Sequence, residues 1–194
     1  MKGKPLVVLI AGPNGAGKST TAAALLKGAL KVSEFVNADT IAQGLSSFRP
    51  ESVAMAAGRA MLARIRALAA ARESFAFEST LAGRSFAPWL RKLKAQGYKV
   101  HIEFLSLASP ELALARVAAR VRQGGHDVPE EVVRRRFALG LANFFELYQP
   151  LADSWQVLDN AVLGGPRLIA AKRSGHAVEV HDMQAWQHLM EIPR

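Results

Sequence analysis

The stretch GPNGAGKS, Gly12 to Ser19, fits the pattern G-x-x-x-x-G-K-[ST] and limits the fold more than any other part of the chain. Its glycines let the backbone turn N–H groups inward around phosphate oxygens. Such a turn needs a strand to launch it and a helix whose positive N-terminal end completes the cradle. Both flanks are present: LVVLI from Leu6 reads as a buried strand and TTAAALL from Thr20 as a helix. Gly12, Pro13, Asn14, Gly15, Ala16, Gly17, Lys18, Ser19 and Thr20 are therefore the expected site for the phosphates of ATP or GTP. Lys18 is expected to reach the β- and γ-phosphates, and Ser19 to ligate the Mg2+ that bridges them. The competing reading is a glycine-rich turn without a ligand, which the complete motif in this setting disfavours.

A phosphate loop of this kind is built into a parallel sheet, and the remaining sequence supplies one. EFVNA from Glu34, SFAFE from Ser74, YKVHIEFLSL from Tyr98 and WQVLD from Trp155 are further strand candidates, separated by helical segments rich in Ala, Leu, Arg and Lys. This alternation predicts an α/β fold with helices on both faces of the sheet. Two helix starts are legible. In SPEL, Ser109 caps a helix entering at Pro110; in DVPE, Asp127 is read as a cap three residues before Glu130. Leu168 to Val180, LIAAKRSGHAVEV, reads as a terminal hairpin around a KRSG turn. The chain has 194 residues, 50% of them hydrophobic, with no repeat and no long linker, so one domain over residues 1–194 is expected.

Acidic side chains at strand ends indicate where chemistry would occur, because ligands of doubly wound sheets gather beyond the carboxyl ends of the strands. Asp39 in VNADTIA and Glu78 in FESTL both fall there. Asp39 is read as orienting an acceptor hydroxyl, as capping a short helix from Thr40, or as both. Glu78 requires Mg2+-bound water, a substrate donor or a cationic partner, since an unpaired carboxylate is costly to bury. Ser79 and Thr80 add hydroxyls beside it, for a ligand or for a local cap.

The segment RVRQGGHDVPEEVVRRRF, Arg120 to Phe137, reads as two helical arms joined by QGGHD, a lid over about residues 116–137. Arg116 and Arg120 share one helix face, whereas Arg120 and Arg122 diverge by about 200°. On the second arm Val133, Phe137, Leu141 and Phe144 form an apolar stripe, which leaves Arg135 in solvent and Arg134 and Arg136 at the flanks. Arg120 and Arg136, then Arg122, are the candidates to stabilise charge on a transferring phosphoryl group. A solvated helix surface is the alternative. Asp159 or Asn160, ending the fifth strand in VLDN, falls either beside the nucleotide base or in a plain turn. His101 and Glu103 alternate with apolar residues and read as a hydrogen-bonded pair rather than a metal site.

The remaining composition narrows the classes. Lys+Arg 25 against Asp+Glu 16 gives a net charge of +9 and favours anionic partners. Nucleic acid is disfavoured, because Trp89, Trp155 and Trp186 lack the spacing of a base-stacking platform. The absence of cysteine excludes disulfides and thiolate metal sites. The basic start and apolar run end in the glycine loop rather than a cleavage site, and no segment approaches the roughly 20 apolar residues that span a bilayer. A soluble, cytoplasmic protein without a membrane partner is expected.

Taken in order, GPNGAGKST, NADTIA, FAFESTLAG, RVRQGGHDVPEE and VLDN resemble the zeta toxin family of P-loop kinases, over roughly Leu6 to Asn160. The resemblance implies a nucleoside-monophosphate-kinase-like sheet in the order 2-3-1-4-5. It also implies phosphoryl transfer from ATP to a hydroxyl of a UDP-sugar, in the best understood members the 3′-hydroxyl of UDP-N-acetylglucosamine, and an antitoxin partner. Asp39 falls on the family's catalytic base, Lys18 on its phosphate lysine, Glu78 and Thr80 on substrate-contacting positions, and Arg120 on a lid arginine. The family's second lid arginine falls on His126 here, and its glutamate before the third strand falls near Leu62, so a substrate pocket that differs from the family's is expected. The rival expectations are a kinase for another metabolite or antibiotic hydroxyl, and a nucleic-acid-binding ATPase.

Overall fold

Strand β1 (Leu6–Ala11) carries only apolar side chains because both of its faces are covered. Val7, Leu9 and Ala11 enter one core, while Val8 and Ile10 enter the other. The structure is a computed structural model and describes residues 3–28, 30–47, 49–161 and 165–192. Around β1 the sheet grows in both directions: β2 (Glu34–Val36) and β3 (Phe75–Ser79) lie on one side, β4 (Lys99–Ser106) and β5 (Ser154–Asp159) on the other, all parallel. The order 2-3-1-4-5 expected from the resemblance is the order observed.

The expected hairpin forms from β6 (Arg167–Lys172) and β7 (Val178–Val180), but it does not stand apart. β6 pairs antiparallel with β5, so the hairpin extends the sheet to seven strands, β2-β3-β1-β4-β5-β6-β7. A helix not foreseen from the sequence follows, Met183–Glu191, with Asp182 as its cap.

The helices are α1 (Lys18–Lys27), α2 (Ala38–Leu45), α3 (Ala54–Ala70), α4 (Phe86–Ala95), α5 (Pro110–Arg122), α6 (Glu130–Asn143) and α7 (Met183–Glu191). One core packs Met61, Ile65 and Leu68 of α3 and Leu90 and Leu93 of α4 against β1 and β3. The other packs Ala22 and Leu26 of α1, Val117 of α5, and Val133 and Phe137 of α6 against the opposite face. Leu141 and Phe144 continue the α6 stripe into the first core, so the helix spans the sheet's edge and ties the two layers together.

Of the two helix starts read from sequence, one stands and one is corrected. Ser109 caps α5, its side chain accepting from Leu112 N. Asp127 does not cap α6: its carboxylate accepts from the adjacent Val128 N, and the helix begins at Glu130 after an extended Pro129. A short Asp side chain satisfied by the next amide forms a local turn instead of reaching into the helix. The helix expected from Thr40 starts two residues earlier, and its cap is Asn37, which accepts from Asp39 N at 2.7 Å and Thr40 N at 3.3 Å. Asp39 therefore lies in the first turn with its carboxylate released from capping.

Candidate active site

The carboxyl ends of the five parallel strands share one edge of the sheet, and the phosphate loop leaves β1 there. Gly12, Gly15 and Gly17 hold φ values of 137°, 77° and 77°, which side chains rarely tolerate. At Gly17 a Cβ would also lie 2.7 Å from Asn160 Nδ2. The loop is held from outside: Asn160 Nδ2 donates to Ala16 O at 2.7 Å, and Arg116 donates to Asn160 O at 2.7 Å and Ala161 O at 3.0 Å. Asn160 thus clamps the phosphate loop to the segment after β5. The clamp's second member, Arg116, escaped the sequence reading of function, although its face shared with Arg120 was legible.

Lys18 Nζ donates to Pro13 O at 2.9 Å and lies 3.8 Å from Glu78 Oε1. Burial lowers the Lys18 pKa from its ordinary value, opposed by the Glu78 carboxylate and then by Asp39. Burial raises that of Glu78, opposed by Lys18 and by the Ser19 hydrogen bond. Ser19 Oγ donates to Glu78 Oε2 at 2.8 Å, and Asn37 Nδ2 donates to both Ser19 Oγ and Glu78 Oε2. Asn37 is the second residue sequence reasoning missed. Its signal was present, since an Asn between a strand and a helix is a strong cap candidate.

Three adjoining spaces open around this network. The largest, about 370 Å3, is walled by Asn14, Gly15, Gly17, Lys18, Ser19 and Thr20 from the phosphate loop and by Asp39, Glu78, Arg116 and Arg120. A second, about 120 Å3, is walled by Asn37, Asp39, Glu78, Ser79, Thr80 and Arg136 together with Asn14, Ala38 and Lys18. A third, about 50 Å3, has alanine walls from Ala38, Ala42 and Ala54, with Asp39, Gln43 and His126 at its rim. Asp39 lines all three. Its side chain accepts no hydrogen bond and joins no ion pair among the described residues.

The other candidates divide as follows. Gly12, Pro13 and Ala16 are buried residues of the loop itself and line none of the three spaces. Arg120 Nη2 donates to His126 O at 2.6 Å, and its Nε is buried without a partner. Arg122 is exposed and lines none of the three spaces, as is Arg135. Arg134 bridges Glu130 at 2.8 Å and Glu111 at 2.7 Å, joining α6 to α5. The Ser79 and Thr80 hydroxyls accept from Leu81 N and Ala82 N, so local turns occupy part of their capacity. His101 pairs with Glu103 at 2.9 Å and with Ser154 at 2.8 Å, buried well away from the loop. Asp159 accepts from Ala161 N and pairs with Arg167.

The donor set suits a hard cation. The Ser19 hydroxyl and the Glu78 carboxylate present oxygen atoms side by side, which is the chemistry Mg2+ takes. Among the described residues no group of three or more His, Cys, Asp or Glu could form a cage of its own, so the fit is to an ion carried largely by phosphates. Among the described residues, no helix is long and apolar enough to cross a membrane.

Residues 7–147 match the family model described as AAA domain. An uncharacterized protein of Haemophilus influenzae is 30% identical over 130 residues, 67% of this chain and 91% of that one. Solved structures share the fold, among them the following two. AvrRxo1-ORF1:-ORF2 with ATP superposes with a TM-score of 0.75 at 18% identity, over 96% of this chain and 64% of that one, so this chain spans under two thirds of that neighbour's length. A chain of the PezAT chromosomal toxin-antitoxin system of Streptococcus pneumoniae superposes with a TM-score of 0.62 at 14% identity, over 90% of this chain and 76% of that one.

Proposed function

Since the chain belongs to the AAA domain family, we propose that it is an ATP-dependent small-molecule kinase that transfers the γ-phosphate to an alcohol. The observation that carries this reading is Asp39, a carboxylate without a protein partner at the junction of the nucleotide-sized space and the two smaller ones. A nucleotide switch needs no such group facing a second compartment. A kinase does, because the acceptor hydroxyl must be oriented and relieved of its proton as it attacks.

In this reading the phosphate-loop amides and Lys18 hold the donor, and the deep burial of Lys18 strengthens its charge on the phosphates. Ser19 and Glu78 would hold Mg2+, which would supply charge neutralisation at the phosphates. Asp39 accepts the proton of the acceptor hydroxyl, whose oxygen forms the new bond to phosphorus while ADP leaves. Arg120, on the donor side of the lid arm, stabilises charge on the phosphoryl group. Arg136 approaches from the other side of the same carboxylates.

The acceptor proposed is a UDP-sugar, with UDP-N-acetylglucosamine the first to test. It is supported by the motif resemblance and by the shared fold of the PezAT chain. An antitoxin-like protein partner is proposed on the same likeness. The test is incubation with ATP, Mg2+ and a panel of UDP-sugars, following phosphorylated sugar by mass. Product from one of them, lost in Lys18→Ala, is the expected result. ATP turnover without product on any acceptor, stimulated instead by nucleic acid and suppressed steeply by salt, would replace the kinase with a nucleic-acid-dependent ATPase.

A further inference from the structure

The two arginines placed in the cleft do not face the same ligand. Arg120 shares its wall with the phosphate loop, whereas Arg136 is absent from that wall and lines the 120 Å3 space with Asn37, Asp39, Glu78 and Thr80. Resting on the kinase reading, we infer that Arg136 receives an anionic group of the acceptor, a phosphate or a carboxylate, and so selects acidic alcohols over neutral ones.

The argument is one of unmet charge. Glu78 is taken up by Ser19, Asn37 and Lys18, and Lys18 also by Pro13 O, which among the described residues leaves two unpaired charges on that space: Asp39, assigned above to the acceptor hydroxyl, and Arg136. Arg136 is half-buried and has no hydrogen-bond or ion-pair partner among the described residues. A guanidinium keeps its proton, so an anion entering the space would find that charge unpaired by any group among the described residues. Its helix neighbours show the contrast, since Arg134 is neutralised by two glutamates and Arg135 stands in solvent.

The helix that carries Arg136 is also fixed against the acceptor side. Gly140, one turn further along the same face of α6, presses so closely on Thr80 O that a Cβ would collide with it. Asn143 Nδ2 donates to Leu81 O at 2.8 Å and Ala82 O at 3.2 Å, and Tyr148 donates to Gly83 O. The segment after β3 and the helix bearing Arg136 therefore form one unit, which sets the backbone position from which Arg136 enters the space before any ligand arrives.

The test separates this inference from the kinase reading. Protein saturated with a non-hydrolysable ATP analogue and Mg2+, so that the donor space is filled, is titrated with inorganic phosphate and, in a parallel arm, with acetate, following amide shifts by NMR. Saturable binding of one or both is expected in the wild type and names the anion. It should weaken about ten- to a hundredfold in Arg136→Gln, the loss of one charge-assisted contact. Arg135→Gln should bind as the wild type does, and ATP affinity should stay the same in both variants. Absence of saturable anion binding, equal binding by Arg136→Gln, or a tenfold loss of ATP affinity in that variant would each overturn the inference. Anion binding that is lost in Arg136→Gln while no UDP-sugar in the panel is phosphorylated would leave the anion site standing and overturn the UDP-sugar acceptor instead.

Discussion

Two charges in the cleft are held against their own solvation, and this sets what single residues contribute. Burial raises the Glu78 pKa, so the folded protein holds that proton more tightly than the unfolded chain does. The ionised carboxylate therefore costs stability above the raised pKa, and the cost fades as pH falls toward the ordinary glutamate value. We predict that Glu78→Gln has a higher Tm than the wild type at pH 7 without ligand, with a gap that closes under acid, while losing Mg2+-dependent nucleotide affinity. A lower Tm at pH 7 would show that Glu78 is a structural ion-pair partner first. Glu78, Lys18 and Asp39 were all legible because each type has a physical reason to stand at a strand end or in a phosphate loop. The cap at Asn37 was signalled locally as well, but its hold on Ser19 and Glu78, and that of Arg116 on Asn160 and Ala161, are contacts across the fold that nothing local announces.

At the scale of elements, the strands were readable because a strand buried on both faces is written as an apolar run. Helix ends were less so. Ser109 and Asp127 carry the same cap signal, yet only Ser109 reaches its helix, because the segment before α6 satisfies Asp127 with the next amide. The union of α6 with the segment after β3 was invisible in sequence, being made by a glycine contact and an amide at long range. Leu81 lies there at φ 56°, a left-handed conformation that Asn143 helps to hold through the Leu81 carbonyl. Replacing Asn143 by Ala should cost about 1–3 kcal/mol in urea unfolding, the price of leaving buried carbonyls unpaired. The same variant should weaken acceptor binding more than ATP binding, since among the described residues no hydrogen bond joins this segment to the phosphate loop; equal loss of both would argue against the separate unit.

For the whole molecule, the alternation of strands and helices fixed the class, and the resemblance supplied the strand order. The C-terminal extension was only half legible. Its hairpin carries turn residues, but α7 looks polar in sequence, and its value emerges only when Leu189 enters the core and Trp186 stacks on Trp155 at 5.8 Å. Leu189→Ala should lower unfolding stability by about 2–5 kcal/mol, as expected for a buried leucine. Its Kd for ATP below the new Tm should match the wild type, because α7 contributes nothing to the walls of the nucleotide space.

The base assignment of Asp39 is what distinguishes a kinase from a nucleotide binder, and one substitution isolates it. Asn37 caps α2, so Asp39→Asn removes no cap and leaves the phosphate loop intact. The measurement is the rate of phosphorylated sugar formation by mass, with ATP, Mg2+ and a UDP-sugar that the wild type accepts, alongside calorimetric ATP binding to the same preparation. Unchanged ATP affinity with transfer reduced by roughly two to four orders of magnitude is the expected outcome. Transfer by Asp39→Asn at the wild-type rate would contradict it.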